Sequence, residues 1–352
     1  MFIEKIYNNF NIQGSLVNIN CYGDGHINDT FLVETDYKKY IIQKINNKVF
    51  KKPNKLMKNF CMITNWLETN DKNYQGIKLV KTKKGKMYLK KENQYYRCYE
   101  YIENCDCYNK VDDLEVVYEM GKALGRFDKM LEDFPINKLY NIIPNFHNSI
   151  ERFKYFKKIV NEDRLGIRNS VLKEIHFVYK RKEYFNIIND QFSKNNIRLL
   201  PIHNDPKINN ILIDKKTKKH ICLIDLDTVM PGTILYDYGD AIRSIILNCD
   251  EDEENINKVD ISIDKFIAFT KGFFSEMKIS LTETEKELLV DAAIIITLEC
   301  AMRFLTDYLQ GNIYFKIDDE NQNLRRSRVG LKEVYLLEKN KKHLKNTILK
   351  EL

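Results

Sequence analysis

No apolar run in the 352 residues is long enough to cross a bilayer. The longest strongly apolar stretch, Ala292 to Leu298, falls far short of the ~20 residues a spanning helix needs. The first residues, MFIEKIY, lack the basic, apolar and small-residue order of a secretory leader. The expectation is a soluble, cytoplasmic protein with no membrane partner. The eight cysteines include no C-x-x-C pair, and the closest two, Cys105 and Cys107, have no histidine nearby. That excludes ordinary zinc-ligand spacing and a disulfide scaffold, and fits small buried thiols in a reducing compartment. Internal repeats, low-complexity tracts and nucleic-acid-binding signatures are also missing. The net charge of +7 comes from lysines dispersed through stretches such as Lys81 to Lys86, Lys215 to Lys219 and Lys339 to Lys345. They read as solvated surface rather than a nucleic-acid footprint.

What is present divides the chain in two. Leu16 to Tyr22, Thr30 to Thr35 and Tyr40 to Ile45 are β-rich runs. Lys55 to Glu68 repeats apolar residues at 56, 57, 60, 63, 66 and 67, one face of a helix. Further strands near Ile77 to Val80, Met87 to Lys90 and Tyr95 to Ile102 complete the expected β-rich lobe. The polar segment Glu103 to Asp113 marks a boundary, giving residues 1–103 and 104–352. The second part is mostly helical, with expected helices over 114–133, 148–161, 171–194, 236–248, 264–277, 283–310 and 324–340. The fold class expected is α+β, a protein-kinase-like bilobal fold with a small β-rich lobe before a larger helical one.

The chemistry concentrates in Pro201 to Ile213 (PIHNDPKINNILI) and Leu223 to Thr228 (LIDLDT). His203, Asp205 and Asn210 stand in the spacing H-x-D-x-x-x-x-N, and Asp225 ends a short apolar strand. Phosphoryl transfer needs two oxygens held in line and compensation of charge on the transferred group. Mg2+ takes hard oxygen ligands, commonly one or two carboxylates, and completes its shell with phosphate and water. Asp205 is the expected base or hydroxyl orienter, Lys207 a contact for the leaving phosphate oxygen, and Asn210 and Asp225 the Mg2+ ligands. Asp227 shares the face of Asp225 by strand alternation; it either assists the metal or bonds nearby backbone. Asp237 and Asp240 read as helix N-terminal and loop-orienting residues. The donor side is expected at Gly23 and Gly25, whose loop lets backbone N–H groups approach ATP phosphates. On the third strand either Gln43 or Lys44 faces the nucleotide, and the helix after it carries no acid between Lys55 and Leu67 to pair with a lysine.

These motifs resemble the aminoglycoside phosphotransferase and choline kinase superfamily. Several stretches are further similar to the bacterial N-acetylhexosamine 1-kinases: Gly23 to Phe31 (GDGHINDTF), Tyr40 to Asn46 (YIIQKIN) with Val49 and Phe50, Arg97 to Glu103 (RCYEYIE), Ile224 to Val229 (IDLDTV) and Arg303 to Tyr308 (RFLTDY). The resemblance implies an ATP- and Mg2+-dependent enzyme that phosphorylates the anomeric hydroxyl of N-acetylglucosamine or N-acetylgalactosamine. It implies a hinge at Glu100, Tyr101 and Ile102 for the adenine edge, and places Arg303 at the sugar. Asp307, four residues on, shares the helix face of Arg303 as a second sugar contact or as its ion-pair partner. His26 and Asp29, at the tip of the glycine loop, are further acceptor candidates, although a solvated loop histidine reads equally well at 26. Two rivals stand beside this reading. One keeps the chemistry but takes an aminoglycoside, choline, homoserine or methylthioribose; the other is a catalytically silent nucleotide-binding scaffold.

Overall fold

The computed structural model describes residues 2–23, 27–72 and 74–351. A short helix, α1 (Phe2–Tyr7), precedes β1 (Leu16–Cys21), β2 (Asp29–Thr35) and β3 (Lys39–Ile45). Helix α2 (Pro53–Asn70) follows, then β4 (Leu79–Val80), β5 (Leu89–Lys91) and β6 (Gln94–Glu100). These strands form one antiparallel sheet in the order β1-β2-β3-β6-β4, with β5 pairing β6. The sheet therefore has six strands, one at each of the six expected runs, and α1 is an addition. Strand alternation divides its two faces. Tyr40, Ile42, Tyr96 and Cys98 pack with Ile6 and Phe10 beneath α1. Ile45 points the other way, into Phe50, Leu56 and Met57 of the α2 segment. Gln43 shares the Ile45 face and Lys44 does not.

The chain joins the second body directly after β6, because β7 (Cys105–Asp106) pairs with β9 (Ile211–Asp214). Helices α3 (Leu114–Leu131), α4 (Ser149–Glu162), α5 (Leu172–Tyr179) and α6 (Tyr184–Ser193) precede β8 (Leu200–Ile202). After β9 come β10 (His220–Leu223), β11 (Met230–Gly232), α7 (Ile234–Ile245), α8 (Ile263–Met277), α9 (Glu283–Leu309) and α10 (Gln322–Glu351). The caps are local and sequence-encoded. Asp113 accepts from Glu115 N, Asn148 from Glu151 N, and Thr282 with Glu285 forms a reciprocal capping box.

Two helix expectations are corrected. The 171–194 segment is broken near Lys180 to Glu183, four successive charged residues with nothing apolar to bury, and Arg181 turns to pair with Glu338 at 2.6 Å. The last helix continues past Asn340 to Glu351, because Leu344 and Ile348 keep its buried stripe going between the lysines. Helices α3 and α8 touch backbone to backbone at glycines. A Cβ on Gly272 would lie 1.9 Å from Tyr118 O, and one on Gly121 2.0 Å from Phe269 O. Among the described residues no helix is long and apolar enough to cross a membrane, and all eight cysteines are free.

Candidate active site

The loop between β8 and β9 is fixed from behind before it presents any chemistry. Asp237 in α7 accepts from His203 N at 2.6 Å and Asn204 N at 2.7 Å. Asn204 takes a left-handed turn (φ +65°) and donates to Thr228 O at 3.0 Å. Burial holds the His203 imidazole below its usual range. As a neutral ring it donates from Nε2 to Ile224 O at 2.8 Å and accepts from Asp205 N at 3.3 Å through Nδ1. Ile224 N in turn donates to Asn210 O at 2.8 Å. Both ends of the H-x-D-x-x-x-x-N motif thus grip the residue just before Asp225. The spacing works because the β9–β10 hairpin returns the chain to the loop.

Asp205, Lys207, Asn210 and Asp225 are brought together. Lys207 Nζ lies 3.3 Å from Asp205 Oδ2, and the Asp205 charge holds its ammonium well above the usual lysine range. Asn210 Nδ2 donates to Asp205 O at 2.8 Å and to Asp205 Oδ2 at 3.3 Å, which leaves its carbonyl oxygen for a cation. Asp225 sits in left-handed backbone (φ +60°) with its side chain open to the cleft. Loss of water in those crowded walls, then the like charges of Asp227 and Asp205, pushes its carboxyl up to about 7. A carboxylate that the protein alone holds so poorly in its charged form, beside a neutral amide oxygen, fits a hard divalent cation. Among the described residues no three His, Cys, Asp or Glu side chains form a metal cage. A metal here would therefore draw further ligands from phosphate and water.

Asp227 is corrected from metal ligand to ion-pair partner. Its side chain is 2% exposed, and both oxygens are taken by the Arg97 guanidinium, with Nη2 3.0 Å from Oδ2. Asn28 Nδ2 adds a third donor at 2.8 Å. Arg97 also donates to Gln43 Oε1 from Nε at 2.9 Å and from Nη2 at 2.6 Å. Gln43 Nε2 donates to Thr30 at 3.1 Å. The register makes this row inevitable, since Thr30 opposes Gln43 and Gln43 opposes Arg97. Under it Phe60 of α2 stacks on the guanidinium at 4.7 Å. The two candidates on β3 point to opposite faces of the sheet. Gln43 faces inward, while Lys44 lies on the opposite face, 3.2 Å from Asp29. Asp29 is 64% exposed there, paired across the strands and on the outer side of the sheet from Arg97, away from an acceptor.

At the hinge, Tyr101 N donates to Lys39 O at 3.1 Å, Glu100 pairs with Lys38 at 2.7 Å, and the Tyr101 hydroxyl meets Tyr22 at 3.1 Å. Gly23 has φ +74° and open space where a Cβ would stand. Gly25 and His26 lie outside the described residues.

On the far side of the loop, His147 faces two acceptors, Asn204 O at 3.1 Å and Glu299 Oε1 at 3.2 Å. Burial opposes its charge, but Glu299 outweighs it and holds the imidazole above its usual range. Glu299 is also bonded by Ser149. One turn on, Arg303 makes no ion pair among the described residues. Its guanidinium lies 5.9, 5.9 and 5.5 Å from the rings of Phe146, Tyr314 and Phe315. Arg152 is close enough that burial, then the Arg303 charge, holds it below the usual arginine range, and its Nε has no partner. Asp240 gives one oxygen to Arg243 at 2.7 Å, and its other oxygen is buried without a donor among the described residues. Asp307 is corrected on both counts. It neither pairs with Arg303 nor faces a ligand, because its oxygens accept from Ile313 N, Tyr314 N, Phe315 N and Asn323 Nδ2 at 2.8–3.0 Å. It folds the loop that lays Tyr314 and Phe315 against Arg303.

Behind the site, Asp128 of α3 abuts Asp237, and neither of its oxygens meets a donor among the described residues. Burial and the Asp237 charge push Asp128 far above the carboxylate range, and burial pushes Asp237 up to about 7. One proton shared between them satisfies both. A separate cavity of about 270 Å3, lined by Tyr74, Arg126, Phe127, His220 and Cys222, contains no residue of the Asp205 loop.

Sequence reasoning missed Arg97, Asn28, His147, Arg152 and Glu299 as site residues. Arg97 carried a signal, a charge inside a strand between Tyr96 and Cys98. His147 and Arg152 carried none, because only the α4–α9 packing brings them to the loop.

A family model described as a phosphotransferase enzyme family (APH) matches residues 19–257, well over half of the chain. The chain is also similar to the crystal structure of an aminoglycoside phosphotransferase from Alicyclobacillus acidocaldarius. There the TM-score is 0.62 at 12% identity, covering 93% of this chain and 92% of that one. An ethanolamine kinase from Plasmodium vivax gives 0.55 at 17% identity, covering 88% and 80%. A choline kinase from Cryptosporidium parvum gives 0.54 at 13% identity, covering 96% of both. At such identities the likeness establishes a shared protein-kinase-like fold.

Proposed function

Because the chain belongs to the APH phosphotransferase enzyme family, we propose that it moves the γ-phosphoryl group of ATP to the anomeric hydroxyl of an N-acetylhexosamine, giving the sugar 1-phosphate and ADP. The single observation that carries the acceptor class is Arg303, a cation with no ion-pair partner among the described residues, ringed by three aromatic side chains and seconded by Arg152. Such a wall repels the ammonium groups of aminoglycosides, choline and ethanolamine. It suits a neutral acceptor offering a carbonyl and hydroxyls. Asp240 has a buried oxygen free to accept from a sugar hydroxyl. The choice of an N-acetylhexosamine within that class rests on the resemblance of the motifs.

In this reading Asp205 takes the proton of the attacking hydroxyl. The new bond forms between the sugar oxygen and the γ-phosphorus as the bond from phosphorus to the bridging oxygen of ADP breaks. Lys207 faces the charge that develops on the phosphates. Asn210 and Asp225 would hold Mg2+, which supplies compensation of phosphate charge when bound. Gly23 and the neighbouring loop would cover the phosphates, with the Glu100–Ile102 backbone at the adenine. Eight free cysteines and the use of ATP suit the cytoplasm.

An acceptor panel assayed with Mg·ATP tests this, followed by phosphorus NMR of the product, where a 1-phosphate couples to one ring proton and a 6-phosphate to two. Turnover of choline or kanamycin with none of either N-acetylhexosamine would remove the acceptor assignment and leave the phosphotransferase.

A further inference from the structure

The small lobe lacks a lysine at the inward-facing position of β3, and α2 offers the aromatic ring of Phe60, not an acid, beneath that position. A kinase-type site uses a Lys–Glu pair there to tie strand, helix and phosphates together. In its place stands a fully formed ionic assembly. Arg97 of β6 is 1% exposed and has all three guanidinium nitrogens engaged, by Gln43 of β3 on one side and Asp227 of the large lobe on the other.

We propose that Arg97 is the positioning cation of this enzyme, clamping the small-lobe sheet to the Asp225–Asp227 turn in place of the Lys–Glu pair. Two features carry it. Asp227 lies two residues past Asp225 inside a single 3-10 turn, Leu226–Thr228, so fixing its carboxylate fixes the direction in which Asp225 points. Asn28, on the segment following the glycine loop, donates to the same carboxylate and accepts from Asn46 N at 2.9 Å. The loop over the phosphates and the turn below them are therefore held to one another. Arg97 is 1% exposed and four of its five N–H donors are taken by Gln43 and Asp227, so it acts through Asp227 rather than on the nucleotide.

The proposal rests on the phosphotransferase reading but not on the identity of the acceptor. Its test uses R97Q/D227N, which keeps a neutral hydrogen-bonded pair where a lone charge would be left buried, and Q43K/R97Q, which returns the cation to β3 opposite Asp227. Thermal midpoints, Mg·ADP affinity by calorimetry and turnover against Mg2+ concentration are read together. We expect R97Q/D227N to fold, to lose at least 100-fold in kcat, to need at least fivefold more Mg2+ for half-maximal rate, and to bind Mg·ADP at least tenfold more weakly. Q43K/R97Q is expected to recover at least tenfold in kcat over R97Q alone, which a merely structural role would not produce. Retention of kcat and Mg2+ requirement within threefold by R97Q/D227N overturns the clamp, as does a Q43K/R97Q protein no better than R97Q. If the wild type binds Mg·ADP but turns over no acceptor supplied, Mg·ADP affinity decides the clamp by the same margins. A wild type that binds no Mg·ADP removes the phosphotransferase reading and the clamp together.

Discussion

Asp128→Asn is expected to make the protein more stable as pH rises, by an amount set by the shared proton. Asp237 must stay in place to hold the His203 and Asn204 amides, and Asp128 lies against it with no donor of its own. In the unfolded chain both carboxyls ionise near pH 4, whereas the folded pair retains one proton until its raised pKa is reached. A group whose folded pKa is raised contributes stability below the unfolded value, and that contribution fades as pH climbs through the folded one. With the folded state holding one extra proton, the slope is roughly 1.4 kcal/mol lost per pH unit. Across roughly pH 5 to pH 7, where Asp128 stays protonated because burial and the Asp237 charge hold it far above the carboxylate range, that amounts to about 3 kcal/mol. The asparagine amide donates to Asp237 permanently and removes the slope. At roughly 2.1 cal/mol/K of unfolding entropy per residue over this chain, 3 kcal/mol corresponds to about 4 °C in thermal midpoint. Midpoints by circular dichroism across this range should therefore start close together and diverge until the variant leads by about 4 °C. His147, also raised by its partner Glu299, adds a similar downward trend that is common to both proteins and cancels in the difference. A gap constant to within about 1 °C would refute the shared proton.

Asp205→Asn should abolish transfer while leaving Mg·ADP affinity nearly unchanged, because the amide keeps the loop's shape but accepts no proton; full turnover in a steady-state assay would eliminate it as base. Arg303→Met should raise acceptor KM at least tenfold with little change in KM for ATP, reflecting a lost charge-assisted contact of about 1.5–3 kcal/mol; equal changes in both would place the arginine outside the acceptor site. Gly272→Ala should cost about 3 kcal/mol in urea unfolding, since its Cβ meets Tyr118 O at 1.9 Å and backbone has no rotamer with which to yield.

Much of the site was legible because its parts are close in sequence and chemically constrained. His203, Asp205, Lys207, Asn210 and Asp225 sit on one strand–loop–hairpin, and two hydrogen bonds to the Ile224 backbone convert their spacing into convergence. Strand and helix positions followed from apolar period and capping residues such as Asp113 and Thr282. The errors share a cause. Asp227 was grouped with Asp225 by alternation, but the segment is a 3-10 turn rather than a strand, so two residues do not restore the same face. Asp307 was grouped with Arg303 by helical spacing, but three backbone donors of the following loop and the Asn323 amide of α10 reach it first.

The amino-acid order by itself determined the division into sheet and helices and the constellation around Asp205, since both depend on residues within a few turns of one another. Only the tertiary structure decided which charges neutralise which. Arg97 meets Asp227 across 130 positions, and Arg303 has no ion pair among the described residues, with Phe146 ahead of α4 and Tyr314 and Phe315 of the 312–315 loop supplying rings around it. A charge is satisfied by whatever lies within about 4 Å of it in space, and sequence distance does not specify that neighbour.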